Sequence, residues 1–330
     1  MKGLGFLPLF VSASVTVASA ADYNLSADGV TDTYRLISEA GYFAETEGGQ
    51  TPDEFMCHGD VRHISQIFDN NLQQHVFAFD IHIDYALNGV KVTDGNKGEL
   101  VDRQRNEIKC MSDVPGTVAQ AGETITYKWK FRLPEGMRTT SEFCHVHQIK
   151  GMGSSDAVAH QVITLTCRST SSGQQLQVIN VPYEGAANVY LAQIDLSKVI
   201  GRWVQASETF TVGHHGNYRL TLADAVTGDT ILSVNKDDIE IWRETDDDST
   251  MRAKWGIYRS LGANLALKGQ LKSERVLFAD FQTIKGTDAI DDIFEDKVQD
   301  DGLYYDLMGR PVLYPSRGIY IRNGKKYLFP

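Results

Sequence analysis

From about residue 60 to residue 285 the chain alternates apolar and polar positions with period two. In residues 124–133 (TITYKWKFRL), Ile125, Tyr127, Trp129, Phe131 and Leu133 share one face. Thr124, Thr126, Lys128, Lys130 and Arg132 share the other. Residues 75–85 and 162–168 repeat the pattern, with Phe77, Phe79, Ile81 and Ile83 on one side in the first and Ile163, Leu165 and Cys167 in the second. Alternation of this kind marks antiparallel strands with one buried face. Further strands are expected at 176–181, 203–212, 218–223, 230–234, 254–259 and 275–283, with glycine-rich turns between them. Helical periodicity is sparse: a short helix over 31–44 and a single turn over 195–199. Many strands at short spacing without an internal repeat predict an all-β chain, a jelly-roll sandwich of two packed sheets with a concave groove suited to a long polymer.

The composition fits a globular protein: 42% hydrophobic, 10% aromatic and 23% charged over 330 residues. The net charge of -11 argues against general affinity for nucleic acid or an anionic membrane. Residues 1–20 read as a signal peptide, with Lys2 ahead of an apolar run and Ala18-Ser19-Ala20 as the cleavage site. No later stretch is apolar and long enough to span a membrane. The expected organisation is a signal peptide (1–20), a main β domain (21–286), an acidic linker (287–301) and a C-terminal tail (302–330). In the tail, Asn323-Gly324 between two β-prone runs predicts a hairpin. YDLMGR followed by GIYIRNGKK resembles the tails of exported Bacteroidetes proteins, which implies sorting to the outer membrane or cell surface. The expected location is secreted, or periplasmic or surface-bound after export. Four cysteines (Cys57, Cys110, Cys144, Cys167) allow three complete disulfide pairings, or buried thiols.

Three strand-like segments carry unusual polar side chains. In residues 102–110 (DRQRNEIKC), Arg103, Arg105, Glu107 and Lys109 fall on one face. In residues 143–150 (FCHVHQIK), Gln148 and Lys150 share a face, and strict alternation turns His145 and His147 to the opposite, core-facing side unless a bulge intervenes. In residues 254–260 (KWGIYRS), Lys254, Gly256 and Tyr258 share a face. Each row alone is ordinary for a solvated sheet surface with cross-strand ion pairs. His145 and His147 lack a third partner for a metal site, so no catalytic metal or cofactor is expected, although a structural calcium ion is compatible with the sequence.

Taken together and in order, the segments resemble the β-jelly-roll polysaccharide lyases, a concanavalin A-like group that includes alginate and glucuronan lyases. Arg105-Asn106-Glu107-Ile108-Lys109 resembles the alginate-lyase motif R-[ST]-E-[LV]-R. Gln148-Ile149-Lys150 resembles Q-[IV]-H, and Lys254-Trp255-Gly256-Ile257-Tyr258 resembles the start of Y-F-K-A-G-[VI]-Y-N-Q. Lys109 stands in place of the final Arg, Lys150 in place of His, and Arg259-Ser260 in place of Asn-Gln. The longer stretches look closer to glucuronan-lyase-like secreted proteins, and ulvan lyases are similar in fold. The resemblance implies a monomeric enzyme that cleaves an anionic uronate polymer by β-elimination. Tyr258, Lys150, Gln148 and Arg105 would be catalytic, and Arg103, Glu107, Lys109, Lys254, Arg168 and His82 would bind substrate. The chemistry asks for a donor and a cation on the sugar carboxylate, supplied by Gln148 and Arg105, with Glu107 orienting Arg105. It also asks for a base at C5 and an acid at the leaving oxygen. Tyr258 serves as both if these lie on one side of the sugar. Otherwise Lys150 or a histidine, with His82 as an outside candidate, is the base and Tyr258 the acid. Two alternatives remain at this level: a non-catalytic carbohydrate-binding sandwich, and a glycoside hydrolase needing two carboxylates about 5–9.5 Å apart.

Overall fold

A computed structural model describes residues 23–46, 62–83, 85–87, 90–92, 102–153, 159–243, 249–286, 303–305, 310–312, 317–322 and 325–329. The expected signal peptide, the acidic linker, Cys57 and the Asn323-Gly324 turn lie outside the described residues. The chain divides into two compact units, Met1–Ala289 and Ile290–Pro330.

The first unit is built almost wholly of strands. In chain order they are β1 (Tyr23–Leu25), β2 (Tyr42–Thr46), β3 (Ile64–Asp69), β4 (Gln74–Ile81), β5 (Tyr85–Leu87), β6 (Val90–Val92), β7 (Arg103–Cys110), β8 (Val118–Gln120) and β9 (Thr124–Arg132). There follow β10 (Cys144–Gly151), β11 (Gln161–Thr170), β12 (Gly173–Asn180), β13 (Val189–Asp195), β14 (Trp203–Thr211), β15 (Gly213–Asp224), β16 (Thr230–Ile241), β17 (Thr250–Ser260) and β18 (Glu274–Lys285). One sheet runs β16-β15-β14-β9-β18-β4-β3, with β1 added to β18. The other runs β13-β12-β11-β10-β17-β7-β2, with β8 added to β17. The two eight-stranded sheets are antiparallel throughout and pack as a sandwich, the all-β jelly-roll architecture expected from the alternation.

The inward side of each strand makes one core. Tyr127, Trp129 and Phe131 of β9 meet Trp255 and Ile257 of β17 and Ile108 of β7, all with 1% exposure or less. Removing such side chains from water contributes about 1.5–3 kcal/mol each, which is the main term holding the sheets together. A buried polar cluster also joins the two sheets through this core. His147 Nε2 of β10 lies 2.7 Å from Glu208 Oε2 of β14, and Tyr218 of β15 donates its hydroxyl to Glu208 Oε1 at 2.7 Å. The Trp129 ring, 4.4 Å away, covers the His147 imidazole.

The stretch expected as a helix over 31–44 divides. Helix α1 (Thr33–Glu39) is capped by Asp32, whose side chain accepts from Arg35 N, and stops at Gly41 with φ +86°. Residues 42–46 then alternate as strand β2, burying Tyr42, Ala44 and Thr46. The turn expected at 195–199 is a short 3-10 turn at Leu196–Lys198. Cys110, Cys144 and Cys167 are buried free thiols.

The second unit contains β19 (Tyr304–Tyr305), β20 (Pro311–Val312), β21 (Gly318–Arg322) and β22 (Lys325–Phe329), in the order β20-β19-β21-β22. The expected hairpin is the β21–β22 pair, with Arg322 opposite Lys325. Two further short strands widen it to a four-stranded sheet, and Tyr304 packs edge-on against Tyr327 and Phe329. Among the described residues of the chain no helix is long and apolar enough to cross a membrane.

Candidate active site

Three adjacent strands, β10, β17 and β7, bring the three polar segments side by side. Registry sets Tyr258 opposite both His145 and Arg105, and Lys254 opposite both Gln148 and Lys109. Alternation on β7 and β17 turns Arg103, Arg105, Glu107 and Lys109, with Lys254, Gly256 and Tyr258, away from the core. Lys150, one outward position beyond Gln148, stands opposite Arg252. Arg105, Gln148, Lys150 and Tyr258 therefore lie on one outward sheet face.

Strand β10 departs from strict alternation. Its register shifts between His145 and His147 against both β11 and β17. As a result His145 and Gln148, three residues apart, both face outward, while Val146 and His147 go to the core. The expectation that His145 and His147 share the core-facing side is corrected for His145 by this bulge. The same break separates the two imidazoles, so they form no pair of ligands. Among the described residues no three His, Cys, Asp or Glu side chains gather as a metal site.

Gly256 permits the close fit of β17 against β7. Its φ is +148°, and a Cβ there would collide with the carbonyl oxygen of Asn106 and come within 2.7 Å of Glu107 Cα. Opposite it, Glu107 is 1% exposed and acts as the hub of the floor. Gln148 Nε2 donates to Glu107 Oε1 at 2.6 Å, and Lys254 Nζ lies 2.7 Å from Oε2. The expected role of Glu107 in orienting Arg105 is secondary, since that contact is 3.9 Å. Arg105 is held more closely by Glu45 of β2, at 3.2 Å. Glu45 also reaches Lys254 at 2.7 Å and Lys109 at 3.3 Å. Burial alone would raise the Glu45 pKa, but Lys254, Arg105 and Lys109 more than reverse this and hold it well below the usual carboxylate range.

Around Tyr258 the contacts are aromatic and cationic. Arg103 Nη1 donates to Tyr258 Oη at 3.0 Å, and Arg103 is itself held by Asp102 at 2.7 Å. The Arg105 guanidinium lies 5.0 Å from the Tyr258 ring centroid. The His145 ring is 5.7 Å from that of Tyr258 and stacks on Phe143 at 4.7 Å. Burial, reinforced by Arg168, Lys150 and Lys254, drives His145 down to about 3, so its imidazole is neutral at physiological pH. Burial and the neighbouring Lys254 push Lys150 down to about 8, with Arg105 adding to them against Glu107 and Glu45. Lys109 is lowered by burial, with Glu45 opposing.

The remaining expected residues fall further out. Arg168 lies on the outward side of β11, its Nη1 3.5 Å from Ser141 O. His82 follows β4 on the other sheet, its ring edge-on to His63 at 5.2 Å, and its carbonyl accepts from the Gln104 amide. No described contact joins His82 to Tyr258, Gln148 or Lys150. Lys128, Lys130 and Arg132 lie on the outward face of the opposite sheet, where Lys130 pairs with Asp280 at 2.7 Å. Glu45 went unrecognised in the sequence. Its signal was the alternation of Tyr42, Ala44 and Thr46 against Phe43 and Glu45, hidden by reading the segment as the end of a helix.

The fold is a jelly-roll sandwich, an architecture also found in a solved alginate lyase. No family model and no curated protein sequence matches the chain. Among solved structures, it is similar to the marine PL-14 alginate lyase from Aplysia kurodai, with TM-score 0.51 and 9% identity over 82% of this chain and 100% of that one. It also matches an endo-β-1,4-glucuronan lyase from the fungus Trichoderma reesei, with TM-score 0.41 and 13% identity over 73% of this chain and 94% of that one. An alginate lyase from Chlorella virus matches with TM-score 0.42 and 13% identity over 68% and 90%. The first of these fixes the architecture, and the likeness is one of fold.

Proposed function

We propose that this chain is a secreted polysaccharide lyase that cleaves a uronic-acid-containing polymer (glucuronan, alginate or an ulvan-like chain) by β-elimination. The observation that carries the proposal is the convergence of Arg105, Gln148, Lys150 and Tyr258 on one outward face across three neighbouring strands. The sugar carboxylate sits over Gln148. Because Glu107 can only accept, the Gln148 amide nitrogen faces it, and the second N–H is left as donor to the substrate. Arg105 adds positive charge where the carbanion at C5 spreads into the carboxylate.

Lys150 and Tyr258 take opposite sides of this point. His145, opposite Tyr258, and Lys150 are five residues apart on β10, at most about 16 Å along a strand that the register shift shortens. Lys150, at about 8, is poised to take the C5 proton near neutral pH. Tyr258 protonates the C4 oxygen as the bond to it breaks, and an unsaturated sugar remains. His145 has too little proton affinity to serve as the base. Arg103 and Arg105 hold the phenol in place. Lys109 and Arg168 extend the cationic face along which a polyanion lies, whereas Lys254, expected to bind substrate, is 1% exposed between Glu45 and Glu107 and supports that face from beneath.

The hydrolase alternative is disfavoured by the two carboxylates on this face. A hydrolase needs one carboxyl protonated and reachable. Glu45 is held ionised by three cations, and Glu107 is engaged by Lys254 and Gln148 on the buried floor. A non-catalytic binding protein would have no use for a lysine of lowered pKa across from a phenol. Incubation with glucuronan, alginate and ulvan at several pH values tests the proposal. A rise in absorbance near about 235 nm, the band of the unsaturated product, is expected with at least one polymer and absent in Tyr258→Phe. No rise with any of them contradicts it.

A further inference from the structure

The outward face that carries Gln148 and Tyr258 does not end at β10. Two cross-strand rows continue it across β11 and β12 to the edge strand β13. One runs from Gln148 through Thr164 and Ile179 to Tyr190. The other runs from His145 through Thr166 and Gln177 to Gln193. Residues directly opposite on paired strands share a face, and the alternate positions Leu165, Leu176 and Val178 fill the core. Both rows therefore lie on the side of the candidate site. A register shift between the Val178 and Ile179 pairs leaves Leu191 packed on the core and Tyr190 exposed. Beyond β10 neither row holds a charged residue, and Arg168 and Asp195 belong to the next row along. Where β7 and β17 offer cations to carboxylates, these rows offer hydroxyls, amides and an aromatic ring.

Two of these side chains lack partners within the protein. Tyr190 is 53% exposed and, among the described residues, makes no side-chain hydrogen bond, ion pair or ring contact. Gln177 is 3% exposed, and its Oε1 is shut from water and meets no donor. An unpaired buried acceptor is a cost to the fold that a ligand hydroxyl would remove. The direction of the rows fits the elimination. Lys150 and Tyr258 flank the sugar along β10, so the polymer axis crosses the strands. Strands lie about 4.8 Å apart, close to the length of one pyranose in an extended chain. Gln177 on β12 then falls about two sugars, and Tyr190 on β13 about three sugars, from the one at Gln148. Resting on the lyase assignment above, we propose that β12 and β13 hold an uncharged subsite for the same polymer, in which Tyr190 packs its ring against a sugar face and Gln177 accepts from a sugar hydroxyl. The polymer is recognised by charge over β7, β17 and β10, and by ring faces and hydroxyls over β12 and β13. The sugar at the outer end needs no carboxylate.

The test is calorimetric titration of the full chain, carrying Tyr258→Phe so that nothing is cleaved, with glucuronan, alginate and ulvan oligosaccharides of increasing length. Short ones cover only the cationic strands, and long ones reach β13. Adding Tyr190→Ala is expected to weaken binding of the long ones by about three- to tenfold and to leave the short ones unchanged. Tyr190→Phe keeps the ring and keeps the affinity. Gln177→Met, of similar length but without the acceptor, weakens the long ones by a similar factor. Its urea midpoint stays or rises, whereas a structural role for Gln177 would lower it. The exposed Tyr190 carries the test if the Gln177 variant does not fold. Added salt weakens every length through the cationic strands but leaves the ratio between Tyr190→Ala and its parent unchanged. Full affinity of Tyr190→Ala for the long chains, an equal loss at every length, or a ratio that vanishes in salt overturns the proposal. If the chain with Tyr258 intact binds long oligosaccharides in this way and leaves them whole, the lyase assignment falls and the subsite stands. Binding of no uronate oligosaccharide removes both.

Discussion

The two outward faces of the sandwich both carry rows of cations, and they handle that charge in opposite ways. On the face formed by β9, β18 and β4, cations meet carboxylates singly: Lys130 with Asp280 at 2.7 Å, Arg132 with Asp69 at 3.4 Å, Arg275 with Asp80 at 2.8 Å. These groups remain partly in water, and each pair is close to self-sufficient. On the face formed by β7, β17 and β10, Glu45 and Glu107 are shared among Lys254, Lys109 and Arg105, and Lys150 is left outside. Lys254, Glu107 and Gln148 there are each 1% exposed. An alternating basic strand is thus not informative by itself. What distinguishes a reactive face is charge that has been desolvated and then incompletely balanced, because only that moves a proton affinity toward neutrality.

The sharpest way to break the comparison is to delete the phenol. Tyr258→Phe is expected to lower kcat by about 10²–10⁴-fold while polymer binding persists, as read by initial rates and by calorimetric titration. Loss of binding together with turnover would mean that the phenol holds the polymer and takes no part in the proton transfer. Next in size is Glu107→Gln, which leaves Lys254 buried with a weakened set of partners. A loss of about 1–3 kcal/mol in urea unfolding is expected, since Lys254 keeps Glu45 at 2.7 Å but loses its second charged partner, and the Gln148 amide loses a charged acceptor.

Lys150→Met carries the opposite sign. A lysine whose pKa falls from 10.5 to about 8 on folding binds fewer protons folded than unfolded between those values. Stability therefore rises with pH across that window, and at pH 7 the charged, half-buried ammonium is a cost. The methionine variant should be inactive yet more stable at pH 7 by about 1–3 kcal/mol, an advantage that shrinks from pH 8 upward in denaturant titrations. The smallest effect belongs to the other face: Lys130→Ala should leave activity unchanged and cost no more than about 1 kcal/mol.

Much of the architecture was legible because the two buried faces impose period two on their strands. The alternation in β9, β4 and β11 named the core residues directly, and three short motifs in order pointed to three strands that the fold sets side by side. What escaped has two physical causes. The register shift in β10 inverts the side of His145 without changing any residue type, so parity counting put it in the core. The close approach that accompanies it does leave a mark, a glycine inside the strand at position 256, whose neighbours admit no Cβ. Glu45 escaped because five residues of edge strand beside a helix carry too few turns of either period to decide between them. The link from His147 to Glu208 and Tyr218 escaped because it joins strands of different sheets, and alternation says which face a residue takes but not what it meets there.

The central claim is that one outward face performs an elimination. Its most direct test is a comparison of wild type and Tyr258→Phe in the same cuvette series, with absorbance followed near about 235 nm as glucuronan, alginate and ulvan are offered in turn. A rise with wild type on at least one polymer, abolished by the single missing oxygen, is the predicted result. A flat trace with every polymer, or an equal rise from the phenylalanine variant, would contradict it.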